Sequence, residues 1–144
     1  MTYPAAVTVP RTQVVIDWIT LTGWDTTQET GYPLLPGPEI VDSPDKAVFL
    51  TPAGGPGYVI EEGGADTWTF QARVRGAADD PVGPEAAAQL LDYLILRGPQ
   101  RVTVDGVPVL NVQRFSSPPT ALPLDPSSRR FEYTATYTIT TGGG

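Results

Sequence analysis

The stretch Thr67-Trp68-Thr69-Phe70-Gln71-Ala72-Arg73-Val74-Arg75-Gly76 decides the fold. Trp68, Phe70, Ala72 and Val74 alternate with Thr69, Gln71, Arg73 and Arg75. That period of two describes a strand with one face buried and one polar. Residues 77–83 then turn through Asp79-Asp80-Pro81. A helix follows, starting at Pro81 or Pro84 and ending before Gly98. Ala87, Leu90, Leu91, Leu94 and Ile95 form its apolar stripe, and Gly98-Pro99 supplies the stop. Glu85, three alanines, Gln89 and the leucines are strong helix formers.

Downstream, Arg101 to Val104, the Asp105-Gly106 turn and Val107 to Arg114 read as a β-hairpin. Pro108 predicts an edge position or an irregular start for the second strand. Residues 115–128 form a long loop with Pro118, Pro119, Pro123 and Pro126. Arg129 to Thr141 is the last strand: Phe131, Tyr133, Ala135, Tyr137 and Ile139 face in, and Glu132, Thr134, Thr136, Thr138 and Thr140 face out. Residues 142–144 are a frayed tail.

Upstream, residues 1–9 read as an extended arm. A first helix begins near Thr8 to Arg11, with Thr8 able to cap and Pro10 tolerated in the first turn. Val14, Val15, Trp18 and Ile19 recur at helical spacing, with Leu21 close behind, Asp17 on the wet face and Gly23 as the stop. Residues 24–46 are a long surface connection. Its segment Pro33-Leu34-Leu35-Pro36-Gly37-Pro38-Glu39 suits neither a helix interior nor a central strand. Ala47 to Thr51 is a short strand ended by Pro52. Gly54-Gly55-Pro56-Gly57 turns, and Tyr58 to Ile60 is a further extended piece. The order helix, strand, strand, helix, hairpin, strand predicts a single two-layer α+β domain over 1–144. It has a mainly antiparallel or mixed sheet of about five strands, two packed helices and long Pro/Gly-rich loops.

Composition narrows the chemistry. The 144 residues include no cysteine and no histidine. Disulfides, thiol nucleophiles, Cys/His zinc sites and Ser-His-Asp catalysis are therefore excluded. Gly and Pro together supply 31 residues, below the share of roughly 25–30% at which disorder becomes the default. The formal charge is −7, which opposes non-specific DNA binding over the whole surface. The basic residues are eight arginines and Lys46, a skew that reads as GC-rich coding. The first residues have no basic and apolar signal-peptide pattern. The most apolar run, Leu90 to Leu96, is interrupted by Asp92 and too short to span a membrane.

Each motif with chemical potential has a plainer reading beside it. Gly54 to Gly57 lacks a following Lys-Ser/Thr, and Pro56 removes an amide, so it reads as a turn rather than a phosphate cradle. Asp79 and Asp80, with Glu85 and Asp92, have no EF-hand spacing. They read as a helix cap before a hard-cation site or a metal-dependent hydrolase. Glu61-Glu62 are neighbours on a loop and do not converge on a substrate as a catalytic carboxylate pair would. No catalytic residue, metal or cofactor is expected. Arg73 and Arg75 share a strand face, with Arg114, Arg129 and Arg130 near it. They form a solvated face or a subunit contact whose forks meet acidic loop residues such as Glu39, Asp42 and Asp45. On the subunit-contact reading, charge reversal at Arg73 or Arg75 weakens assembly more than stability. Trp18 and Trp68 suit the core. Trp24 and Tyr32, on the long connection, suit an interface.

In order along the chain stand Pro36-Gly37-Pro38-Glu39-Ile40, Asp42-Ser43-Pro44-Asp45 and a strand running into Thr51-Pro52 and Gly54-Gly55-Pro56-Gly57. After them come Phe70 to Gly76, Asp80-Pro81, Pro118-Pro119, Pro123-Leu124-Asp125 and Arg129-Arg130-Phe131. This series resembles the tail terminator proteins, often labelled minor capsid or minor tail proteins, of long-tailed phages of actinobacteria. It covers most of residues 33–140, and its order is more specific than any one piece. The resemblance implies a non-enzymatic homohexameric ring in the virion. The ring caps the tail tube protein, stops its polymerisation, meets a head-completion or stopper protein and lets genomic DNA pass. Another head–tail connector such as a stopper, or a non-viral module binding a small or peptide ligand, is the alternative. No membrane partner is expected.

Overall fold

The computed structural model describes residues 3, 5–27, 31–37, 45–53, 65–115, 117–124 and 126–142. Two long strands form its centre. β3 (Ala65–Ala78) and β7 (Arg130–Gly142) pair antiparallel from Ala65↔Gly142 to Arg75↔Glu132, with an irregularity between Arg75 and Ala78. Strand β2 (Ala47–Ala53) lies on the outer side of β3, and β1 (Leu34–Pro36) adds to β2 in parallel. On the other side of β7 come β5 (Val107–Arg114) and then β4 (Val102–Val104), the predicted hairpin. The order β1-β2-β3-β7-β5-β4, with β6 (Thr120–Ala121) pairing the other half of β7, makes a mixed seven-stranded sheet among the described residues.

The predicted alternation becomes the core. Trp68, Phe70, Ala72 and Val74 face the same side as Ile139, Tyr137, Ala135 and Tyr133, their partners on β7. The rings of Phe70 and Tyr137 stack with centroids 5.3 Å apart. Such a pair contributes about 0.5–1.5 kcal/mol beyond its buried area. Helix α3 (Gly83–Leu96) packs on this face through Ala87, Ala88, Leu91 and Ile95. Helix α2 (Arg11–Leu21) buries Val14, Val15, Trp18 and Ile19. It touches β1, β2 and also β4, at opposite ends of the strand order, so the sheet curls around it. The Trp18 indole donates to the Pro99 carbonyl at 3.0 Å and so ties α2 to the segment after α3. The chain is thus a single α+β domain.

Several local expectations are corrected. Residues of the expected extended arm form one helical turn, α1 (Ala5–Thr8), closed by the Val9 amide on the Ala5 carbonyl. Its Ala-Ala-Val-Thr sequence contains no helix breaker, and Pro10 ends it. Thr8 does not cap α2. Pro10 occupies the N-cap, its ring holding φ at −56°. Leu21 is exposed beside the stripe, whereas Gly23 has the expected left-handed φ of +96°. The second long helix starts at Gly83, between the two expected prolines, with Pro84 in its first turn.

Pro52 does not end β2; it pairs with Phe70. The Val48 amide points toward β1, so position 52 faces the same edge. There β1 has already ended at its Pro36↔Leu50 pair, and a missing N–H leaves no acceptor unmet. The long connection contributes an edge strand, β1, and the 115–128 loop contributes β6. Gly142 belongs to β7, not to the tail. The expected turn at Gly54 to Gly57, the extended piece at Tyr58 to Ile60 and the Glu61-Glu62 pair lie outside the described residues.

Candidate functional site

The arginines singled out from the sequence do not form one patch. Antiparallel register places Arg73 beside Thr134 and next to Glu132, and the Arg73 Nε donates to the Glu132 carboxylate at 3.0 Å. Arg75 lies on the same face but is only 3% exposed, its guanidinium 5.0 Å over the Phe49 ring. The expected polar, solvated face of this strand is therefore corrected, since Phe49, Thr69 and Arg75 on it are all buried. Arg114 faces the opposite side, toward α3, where it grips Asp92. Arg129 pairs with Asp79 on the turn before α3. Arg130 reaches the Asp45 carboxylate and carbonyl and also donates to the Gly76 carbonyl. Arg73, Arg114, Arg129 and Arg130 thus join carboxylates on neighbouring elements of their own chain. Glu39 and Asp42 lie outside the described residues.

Asp92 is the most enclosed acid of the described residues, at 5% exposure. Its Oδ1 accepts the Tyr137 hydroxyl at 2.9 Å and the Arg114 Nε at 3.1 Å. Burial, then the Asp92 charge, pushes the Tyr137 phenol far above its ordinary pKa, so it stays a donor. Hydrogen bonding to Asp92 raises Arg114 further. Tyr133 donates to Glu85 at 2.9 Å two turns earlier on α3, which raises its phenol too. Both acids sit on one side of α3 and receive groups from β5 and β7. The arrangement clamps helix to sheet, and the two acids are held by protein donors.

Trp24 and Tyr32, expected at an interface, are buried at 7% and 8% exposure. The Trp24 indole donates to the Tyr32 carbonyl at 2.8 Å, which closes the connection onto the core. Here large aromatic area outweighs the loop's polar company. Together they floor a cleft of about 410 Å³, walled by Ala86, Ala87 and Leu90 of α3 and rimmed by Asp25, Lys46 and Asp80. The Lys46 ammonium sits 5.2 Å over the Tyr32 ring. Burial, then the charge of Asp80, raises the Tyr32 phenol. Asp80 also accepts the amides of Val82 and Gly83 at 3.2 and 2.9 Å, so the helix-cap reading of this acid holds. Asp79 instead takes a left-handed φ of +60° and pairs with Arg129. Among the described residues no three metal-ligating side chains converge. Among the described residues no helix is long and apolar enough to cross a membrane.

One surface departs from expectation in the other direction. Leu90, assigned to the buried stripe, is 52% exposed. With Val82, Ala86 and Tyr93 it makes a second apolar line along α3, on the side away from the sheet. The signal was present in the sequence, because residues 83–96 contain Glu85, Gln89 and Asp92 as their charged or amide side chains and little else polar. A helix apolar around its circumference is ordinarily covered on both sides. No family model matches the chain, and no curated protein matches it.

Proposed function

We propose that the protein is a structural virion subunit, a tail terminator that forms a ring at the head-proximal end of a phage tail tube. The observation that carries this reading is the ordered series of segments from Pro36 to Phe131. A single α+β domain is the fold the resemblance implies. The exposed apolar line of α3 favours a protein that functions in contact with other proteins. In this reading six copies at −7 each surround the channel, and the acidic ring repels phosphate so that DNA slides without sticking. The tail tube protein lies on one side, and a head-completion or stopper protein lies on the other.

The test is electron microscopy of tail assembly with and without the protein. Rings at one end of the tube, and overlong tubes that fail to join heads when the protein is omitted, are the expected results. Tubes of normal length that join heads without it would end the proposal. Rings on heads rather than tubes would assign it to a stopper. The cleft floored by Trp24 and Tyr32 favours a second reading, a module that binds a small or peptide ligand. Saturable binding of such a ligand to a monomer would support that reading.

A further inference from the structure

We propose that the cleft floored by Trp24 and Tyr32 binds a free α-amino acid with an apolar side chain, its carboxylate on Lys46 and its ammonium on Asp80. The inference rests on the small-ligand reading of the cleft. The site lies within one copy, so a ring subunit can carry it as well as a monomer. At about 410 Å³ the cleft has the size of a small-molecule site, for which roughly 300–1,000 Å³ is usual. Its lining is the mixture such sites have, an apolar body with a few converging polar groups. Trp24, Ala86, Ala87 and Leu90 supply the body.

The charges choose the ligand. Lys46 forms no ion pair among the described residues, and its ammonium stands 5.2 Å over the face of the Tyr32 ring. Asp80 stands at the hydroxyl end of the same ring. A side chain begun on Gly83 would meet the Asp80 Oδ2 at 2.2 Å and the Tyr32 hydroxyl at 3.0 Å. These two oxygens therefore converge on one corner, which the missing Cβ keeps open. The other Asp80 oxygen, Oδ1, accepts the amides of Val82 and Gly83, which fixes the carboxylate and leaves Oδ2 for a ligand. Asp25, the third charge on the rim, turns its Oδ1 to the Thr27 amide and hydroxyl at 3.0 and 2.7 Å. A ligand with only a negative charge meets the aspartates of the rim, and one with only a positive charge meets Lys46. A zwitterion suits both ends. Its carboxylate takes the Lys46 ammonium, and its ammonium donates to Asp80 Oδ2 and the Tyr32 hydroxyl oxygen, as charge-assisted bonds. Its side chain then covers Leu90, which is 52% exposed, and Ala86 beside it. A peptide terminus carries one of these charges but not both on one residue, so the free amino acid is the match.

Isothermal titration calorimetry of the full chain with leucine, phenylalanine and glycine tests this. Leucine and phenylalanine should bind with a stoichiometry of one per chain. Glycine, which has no apolar side chain, should bind about tenfold or more weaker. N-acetylleucine, without the ammonium, and leucinamide, without the carboxylate, should each bind about tenfold or more weaker than leucine. Lys46→Met should weaken leucine about tenfold or more and leave leucinamide unchanged. Asp80→Asn, whose side chain still caps α3, should weaken leucine likewise and leave N-acetylleucine unchanged. No binding of leucine or phenylalanine to the wild type would overturn the inference. Glycine, N-acetylleucine or leucinamide binding as tightly as leucine would overturn it too, while the small-ligand reading of the cleft would stand. The derivatives are titrated into the wild-type protein, so the pairing of charges is tested whether or not the variants fold.

Discussion

Replacing Asp92 with alanine removes the acceptor at the join between α3 and the sheet. The Tyr137 hydroxyl then has no partner in a place where the residue is 1% exposed. An unmet buried hydroxyl costs about 1–3 kcal/mol. The Arg114 side chain is 38% exposed, so its guanidinium turns to water and its lost pair adds only about 0–1 kcal/mol. The expected total is about 2–3 kcal/mol. Tyr137→Phe alone should cost about 1 kcal/mol, the net worth of one hydrogen bond. In the Asp92→Ala background the same change should cost nothing, because the stranded hydroxyl is gone. The cycle therefore predicts a coupling of about 1 kcal/mol. Urea unfolding followed by the fluorescence of Trp18, Trp24 and Trp68 measures all four proteins, with the slope against urea unchanged. A loss under about 0.5 kcal/mol for Asp92→Ala, or strict additivity in the double variant, would refute the reasoning.

Arg75→Glu should unfold or severely destabilise the monomer, by about 3–5 kcal/mol, because it buries a carboxylate against Phe49 and opposite Glu132. Arg73→Glu, at a half-buried surface pair, should cost no more than about 1–2 kcal/mol; equal losses by urea titration would contradict the difference in burial. Gly98→Ala would place a methyl 2.7 Å from the Trp18 ring, which is fully buried. The cost should be about 1–3 kcal/mol, and a wild-type midpoint would show that α2 can move aside. Asp105→Asn should raise the melting temperature at neutral pH, with the gain shrinking as pH falls. A hydrogen bond donated by the protonated Asp105 carboxyl to Asp17, then burial, raises the Asp105 carboxyl, so its protonated form favours the fold at low pH and that stability is lost as pH rises. A gain independent of pH would instead point to the turn, where Asn suits the φ of +53°.

The long elements were legible because each has one consistent period. Trp68 to Val74 and Phe131 to Ile139 alternate, and an Asp-Gly turn joins β4 to β5. The short elements were not. Leu34 to Pro36 has prolines at both ends, and its strand character comes from β2 alongside it, not from its own residues. Leu90 was assigned to the core because α3 is apolar on more than one side, and periodicity then no longer says which side faces in. The arginines illustrate a different limit. Alternation places Arg73 and Arg75 on one face, but what covers that face is a tertiary matter, and so is Glu132 falling next to Arg73. Trp24 and Tyr32 lie in a proline-rich stretch that resembles a surface loop, and only the fold back against α3 makes them core.

The position of β7 has a consequence for how the chain is made. It is the last described strand in sequence, yet it lies between β3 and β5. During synthesis β3 and β5 emerge first, each with an open edge waiting for the same partner. Nearly all of the sheet's long pairing, from Thr67↔Thr140 onward, must await residues some seventy positions later. Folding is therefore slow for a domain of this size and waits until β7 has emerged. Until then two strand edges invite pairing with other nascent chains. Truncation before β7 would remove the middle of the sheet rather than its margin.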